Sequence, residues 1–389
     1  MSKTAKDILA LVILLAVFYY AKTGTLPKLD PIQLPAVHET QEVSNPFKGI
    51  ALDADCYPKN AAESYYWYGF LSEEEQAIYH AMYELAMDPY DVGKTITLKT
   101  SKNPGESEFH DSWNNARFSL LYDHPEFFYL MPAAYSEDSE LGDLRYRYYD
   151  KHGDYTVEIL ILDISPKVPE LISRFNRQTR RFLEFLDMGA SQEEIAKKLH
   201  DLLIHNVGYD DAVMELEKHV DLAHTAYGAI CTNSEGDAFH AVCDGYSLGY
   251  HYLLQQCGIP SLVLEGDAGT SQEDFGAHCW NMVKLNGQWK ETDVTWNDIG
   301  SNIDDLKKDQ YYDLAMRAYQ DPAYYEKITH YLYMVSTAQM NDYDPGSSMR
   351  YYDGSGRWYS HVGKSFHRRR KPQQEWSMGN LMQYAPIAY

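Results

Sequence analysis

The chain has little basic charge, few cysteines and no apolar run long enough to span a bilayer. Its 34 Lys and Arg stand against 57 Asp and Glu in 389 residues, a net charge of −23. A surface of that sign repels a phosphate backbone and argues against nucleic acid as a partner. The 5 cysteines allow few bridges. Neither His-Glu-x-x-His nor a paired Cys-x-x-Cys occurs, so no zinc site is expected. There is no calcium loop of the alternating-Asp type. Gly93-Lys94-Thr95 fails as a phosphate loop, because Asp88 stands where the first glycine is required. No metal and no cofactor is therefore expected.

What is present points to a packed protein with a reactive thiol. The hydrophobic fraction of 44% is ample for packed cores, and the length allows two or three domains. Clusters among the 34 tyrosines, such as Tyr65-Tyr66-Trp67-Tyr68, are expected mainly in the core, since neighbouring residues face different directions.

Three short segments carry the chemistry. Cys243 lies in Ala241-Val242-Cys243-Asp244-Gly245-Tyr246-Ser247. His278 lies in Gly276-Ala277-His278-Cys279-Trp280-Asn281, and Asp293 in Thr292-Asp293-Val294-Thr295-Trp296. A thiol, an imidazole and a carboxylate are the parts of a nucleophilic acyl-transfer site. Cys243 to Gln256 reads as a helix, with Tyr246, Tyr250, Leu253, Leu254 and Cys257 at helical spacing and Gly258 and Pro260 to end it. Cys243 then opens the helix, where the dipole and unpaired N–H groups favour a thiolate and an oxyanion.

Ser261 to Glu265 reads as a strand, Asp267 to Gly276 as a polar loop, and His278–Leu285 and Gln288–Trp296 as a strand pair. Asn286-Gly287 between them is a two-residue hairpin turn that pairs Leu285 with Gln288. Continued, that register sets His278 opposite Thr295 and Trp280 opposite Asp293. His278 and Asp293 become diagonal neighbours on one face, within side-chain reach. Cys279 falls on the opposite face.

These segments resemble the transglutaminase-like superfamily, a circular variant of the papain-type core. The likeness covers Ile195 to about Met334 and includes Leu199-His200-Asp201 through Asp210 and His224-Thr225-Ala226-Tyr227-Gly228. It implies an α+β fold with the nucleophile helix packed on an antiparallel sheet. It also implies that Cys243 is the nucleophile, His278 the general base and acid, and Asp293 the orienting carboxylate. Tyr227, in the pre-nucleophile segment, is a candidate to assist the oxyanion. The resemblance ranks hydrolysis of amide bonds in proteins or peptides first and glutamine cross-linking second. A surface binding module that kept the fold, and a glycan-directed amidase, remain as other readings.

The remaining segments fill out an exported protein. Ile8 to Ala21 is apolar after Lys3 and Lys6, but covers only 14 residues, against about 20 for a full span. Tyr19 sits where a small-x-small cleavage site needs a small residue, so residues 1–24 read as an uncleaved signal anchor, with a cleaved signal peptide as the alternative. The remainder is then placed outside the cytoplasm, with the cell envelope as a source of substrates. Residues 25–60 form a Pro-containing tether, 61–165 a small α+β region, 166–345 the core and 346–389 a C-terminal extension that wraps the core or is mobile. A similar region precedes the core in many bacterial members. Ser72 and Ser191 open capping boxes, and Asp123-His124 reads as a turn before Pro125. His367 to Lys371 is expected as a solvated basic stretch. Cys257 and Cys279 are a candidate disulfide.

Overall fold

The computed structural model describes residues 66–130, 141–210, 220–231, 239–271, 274–298, 322–344, 349–352, 358–362, 365–369 and 379–389. The apolar run Ile8–Ala21, the tether and Cys56 lie outside them. Among the described residues no helix is long and apolar enough to cross a membrane.

The first part of the chain is a small α+β unit. Helix α1 (Glu73–Ala86) begins at a full capping box, Ser72 with Glu75, and buries Ile78, Met82 and Leu85. Strand β1 (Thr95–Thr100), helix α2 (Ser107–Asp123), and strands β2 (Gly142–Lys151) and β3 (Asp154–Ile164) follow. The sheet is antiparallel in the order β1-β3-β2, and α1 and α2 pack on one another. Trp67 is buried beside α2, its backbone N–H donating to Asp123 Oδ1 at 3.4 Å.

Helix α3 (Val168–Glu184) leads to α4 (Gln192–Asn206), whose capping box joins Ser191 and Glu194. Ile195, Leu199 and Leu203 are its buried stripe. Strand β4 (Val207–Tyr209) pairs in parallel with β5 (Phe239–Ala241). Between them come two short helices, α5 (Val220–Ala223) and α6 (Ala226–Ile230).

Helix α7 (Cys243–Gln256) has the bounds expected from its apolar spacing and its Gly258 stop. It is buried on every side, and not along one face only, because α4, α6, β6 and β7 all pack around it. Strands β6 (Ser261–Ser271), β7 (Asp274–Leu285) and β8 (Gln288–Thr292) form its antiparallel floor. The β7–β8 turn has Asn286 and Gly287 both at positive φ, 51° and 76°, as a type I′ hairpin requires. The ladder runs Leu285↔Gln288 to Asn281↔Thr292 in the expected register.

Two expectations for this sheet are corrected. The polar stretch 267–276 is not a loop: β6 continues to Ser271 and β7 starts at Asp274. Ladders on both sides of β6 explain it, since β7 lies on one edge and β11 (Phe366–Arg369) on the other. β8 ends at Thr292 instead of continuing to Trp296. Asp293 caps a short helix, α8 (Val294–Asn297), and its carboxylate takes the N–H of Trp296 at 3.0 Å. A side chain able to cap a turn has diverted the strand.

Helices α9 (Pro322–Thr329) and α10 (Thr337–Asn341) and the hairpin of β9 (Met349–Tyr352) with β10 (Trp358–Val362) precede β11; α11 (Gly379–Met382) follows. The sheet order is β11-β6-β7-β8. The basic stretch at His367 is thus partly a core strand and not a solvated segment. Its Arg369 reaches the buried Glu291 at 2.6 Å, and Trp280 Nε1 donates to the other oxygen of Glu291 at 2.7 Å. Residues 379–389 wrap the core, with the N–H of Ala388 donating to Thr337 Oγ1 at 2.9 Å. The architecture is α+β: a helix opened by Cys243 on an antiparallel sheet, preceded by a smaller α+β unit. Gln255 at the end of α7 ties the two parts, its amide donating to the Asp123 carbonyl at 3.0 Å.

Candidate active site

The N-terminus of α7 is pressed against the α5–α6 turn. The N–H of Val242 donates to the Ala223 carbonyl at 3.1 Å. A Cβ at Gly245 would sit 2.1 Å from that same oxygen, so the approach that sets Cys243 requires glycine there. Cys243 is partly exposed, at the mouth of the buried helix.

His278 is buried on β7, where it pairs with Gly266 of β6 and not with Thr295. Its ring lies nearly parallel to Trp280 at 6.2 Å and against Trp296 at 5.6 Å. Asp293 is fully buried. His278 Nε2 is 2.8 Å from Asp293 Oδ2. A carboxylate only accepts, so Nε2 carries the proton. That leaves Nδ1 for Cys243, to which the imidazole is also hydrogen-bonded. The residues named from the sequence therefore stand in one line, although the strand register that led to them fails at Asp293.

The electrostatics separate the three groups. The Cys243 thiol is held well below its ordinary value, first by hydrogen bonding from the Cys279 side chain and then, against burial, by His278. Burial opposes charge on His278, but Asp293 and Cys243 outweigh it and push the imidazole up to about 10. Burial also pushes the Asp293 carboxyl up, yet His278 and His367 prevail and hold it well below the usual carboxylate range. A thiolate beside an imidazolium is the charge state these shifts favour.

Cys279 does not face away from the site. Its side chain and its backbone N–H both hydrogen-bond to Cys243. The β7–β8 ladder stops at Asn281, and Cys243 takes the edge of β7 beyond it, so it meets the strand edge-on and touches residues of both faces. Cys243 carries the charge because it alone of the two thiols has the helix N-terminus and His278. Cys279, pushed well above its ordinary value by Cys243 and by burial, keeps its proton and donates it. Cys279 is a thiol in the structure, so the Cys257–Cys279 bridge is not formed. Cys279→Ala is expected to slow alkylation of Cys243 by iodoacetamide at pH 6 about tenfold, the worth of one hydrogen bond to a charged group. An unchanged rate would remove Cys279 from the site.

Other polar residues crowd Cys243. Asp244, next in sequence, is buried and accepts from His224 Nδ1 at 2.6 Å and from the Gly245 N–H at 2.9 Å. Burial raises its carboxyl above the ordinary value, with His224 opposing. Tyr227 is placed elsewhere. Its ring packs on Phe128 at 4.9 Å and on Phe175 at 6.3 Å, and its charged and polar neighbours include Cys231, Arg174 and Glu170, none of them in the site. Asp123 closes α2, accepting from the N–H groups of Trp67 and Tyr68 and from the Tyr79 hydroxyl. Burial pushes it up to about 7, in a structural setting.

Among the described residues two trios bring His and Asp ligand atoms within 4.8 Å of one another, His200-Asp201-His330 and His278-Asp293-His367. In the first, His200 Nδ1 and His330 Nε2 lie 3.0 Å and 2.8 Å from one oxygen, Asp201 Oδ1, and the Asn297 amide donates to His200 Nε2 at 3.0 Å, so the Nδ1 proton faces that oxygen. In the second, both imidazole Nε2 atoms point protons at one oxygen, Asp293 Oδ2, which makes it a hydrogen-bonded network and not a ligand set. Beside His278 opens a cleft of about 330 Å³ lined by Tyr209, His278, Thr295, Trp296 and Asp298.

No protein-family model matches the chain, and no curated protein matches it. Among solved structures it is similar to a candidate cysteine protease from Cytophaga hutchinsonii, at 14% identity and a TM-score of 0.22, over 39% of this chain and 62% of that one. It is also similar to a TGase at 11% identity and a TM-score of 0.25, over 61% of this chain and 58% of that one. The chain thus spans about three fifths of each neighbour's length. Likeness at that level leaves the reading to the residues of the site.

Sequence reasoning missed Cys279, Asp244 and His367 as members of the site. For Cys279 and Asp244 the signal was adjacency to His278 and Cys243. For His367 there was none, because nothing local marks a His-Arg-Arg-Arg segment as a core strand.

Proposed function

We propose that this chain is a thiol-dependent acyl-transfer enzyme acting on amide bonds of proteins or peptides, hydrolysing them as a cysteine peptidase or amidase. The observation that carries the reading is the hydrogen-bonded line from Cys243 at the head of α7 through His278 to the buried Asp293. The transglutaminase-like character of the segments around these residues agrees with it. In the proposed reaction the Cys243 sulfur bonds to the amide carbonyl carbon. The resulting oxyanion is held by N–H groups of the first turn of α7. The C–N bond breaks as His278 Nδ1 gives its proton to the leaving amine, and a thioester remains on Cys243. Water then attacks, Nδ1 takes its proton, the C–S bond breaks and the acid leaves. Asp293 holds the imidazole in the tautomer that both halves need. The cleft beside His278 gives the acyl or amine portion a place to lie.

The same thioester given a lysine amine in place of water yields a cross-link, the alternative outcome. We also propose that the enzyme works outside the cytoplasm, tethered by Ile8–Ala21, with cell-envelope proteins or peptides in reach; the apolar run and its flanking lysines support that part. The test is mass spectrometry of an unstructured protein and a glutamine-containing peptide incubated with the enzyme, with and without an added primary amine. New termini or a glutamine-to-glutamate conversion are expected. Amine incorporation exceeding both would select cross-linking. No product from either substrate would sink the proposal.

A further inference from the structure

We infer that His367, donated to the site by the C-terminal strand β11, is a positioning residue that holds the Asp293 carboxylate for His278. The inference deepens the acyl-transfer reading and rests on it. His367 is fully buried, and its Nε2 lies 2.9 Å from Asp293 Oδ2, the same oxygen that takes His278 Nε2 at 2.8 Å. The other carboxylate oxygen takes the Trp296 N–H at 3.0 Å. Three donors from three separate stretches of chain thus converge on one anion. Tyr331, in the loop after α9, also interacts electrostatically with Asp293.

The geometry fixes what His367 contributes. Only a protonated Nε2 can meet a carboxylate that already accepts from His278. Its Nδ1 is buried with no hydrogen-bond partner among the described residues. Nε2 is therefore the nitrogen whose proton is used, and it is the one aimed at Asp293. The ring cannot turn away easily, because Trp280 and Trp296 meet it edge-on at 5.1 Å and 4.9 Å. Its strand is pinned too, with His367 paired to Ala268 and Phe366 to Gly269 of β6.

Such a donor matters most when His278 is neutral, after it has given its proton to the leaving amine. Asp293 is then a buried anion facing a neutral imidazole, and burial alone would favour its protonation or rotation. A second, permanent donor keeps it ionised and aimed at His278 Nε2. That in turn keeps the Nδ1 lone pair facing Cys243 and the incoming water.

The experiment is the rate of iodoacetamide alkylation of Cys243 against pH in the full chain, comparing wild type, His367→Leu and His367→Gln. The groups facing the sulfur are His278, Cys279 and Asp244, and all three are retained. Leu keeps the bulk and removes the donor; the Gln amide nitrogen reaches toward the same oxygen. His367→Leu is expected to move the midpoint upward and slow alkylation at pH 6 about tenfold, with Gln recovering most of the loss. A midpoint in the Leu variant that stays or falls, or Leu and Gln variants displaced equally, would reduce His367 to core filling and overturn the inference. Should the Leu variant not fold, ring-¹⁵N histidine spectra of wild type before and after alkylation decide. A His367 Nε2 signal that moves when Cys243 is capped supports the shared carboxylate, and one that does not move overturns it. A wild type without acid-side reactivity would instead sink the acyl-transfer reading itself.

Discussion

Cys243→Ala is expected to lose amide hydrolysis by on the order of 10⁴-fold or more, with folding unchanged. The loss is large because no neighbour can replace the sulfur. Among the described residues Cys279 is the only other thiol hydrogen-bonded to this one, and it sits on the strand edge without the helix N-terminus or His278 behind it. Water left in the site lacks the covalent step that divides the reaction in two. Stability should hold, because Cys243 is only partly buried and the change deletes one atom. The imidazolium left without its thiolate still has Asp293 at 2.8 Å. Cys243→Ser is a second arm: it preserves shape, but a hydroxyl does not ionise beside His278, so it too should be inactive. Initial rates on the best substrate from the mass-spectrometric screen, with melting temperatures of all three proteins, check this. Residual activity within tenfold of wild type would transfer the chemistry elsewhere. Equal binding of a partner by wild type and Cys243→Ser, with no turnover in either, would favour a binding module that kept the fold.

The parts of this fold legible in the sequence are those specified locally. The capping boxes at Ser72 and Ser191, the span of α7 and the Asn286-Gly287 turn each depend on residues within a few positions of one another, and each is where the sequence puts it. The meeting of His278 with Asp293 was legible for a related reason, because a tight hairpin relates them across 15 positions. The failures come from longer range. β11 pairs with β6 about a hundred positions earlier, and no pattern in four residues, two of them arginines, announces that partner. With β11 unseen, the Gly-containing stretch of β6 read as a loop and His367 read as surface. Cys279 was misplaced by a sound rule, the alternation of a strand's faces, because Cys243 approaches the strand from its edge. Tyr227 followed from its place in a segment, and the aromatic cluster of Phe128 and Phe175 claims its ring instead.

Alkylation of Cys243 in wild type should titrate far to the acid side of an ordinary thiol, and His278→Ala should move it back toward the ordinary range, about 8.5. The signs follow from the two shifts. A thiol whose pKa is lowered stays ionised as pH falls, down to its lowered value. An imidazole raised to about 10 stays protonated as pH rises, up to that value. The thiolate–imidazolium pair therefore fills the window between them. Removing His278 removes the cation but leaves Cys279, Asp244 and the helix N-terminus, and the first and last of these still favour the thiolate while Asp244 opposes it. The midpoint, and not the rate at one pH, is the quantity to compare. An ordinary thiol of pKa about 8.5 is ionised in roughly one molecule in 300 at pH 6, so a lowered pKa raises the thiolate fraction there. A thiolate of lower pKa is also a weaker nucleophile, with a Brønsted slope of about 0.4–0.5, which cancels much of that gain in rate. A wild-type midpoint near the free-thiol value, unchanged in His278→Ala, would mean that sulfur and imidazole do not share a proton, and the mechanism built on their contact would fail.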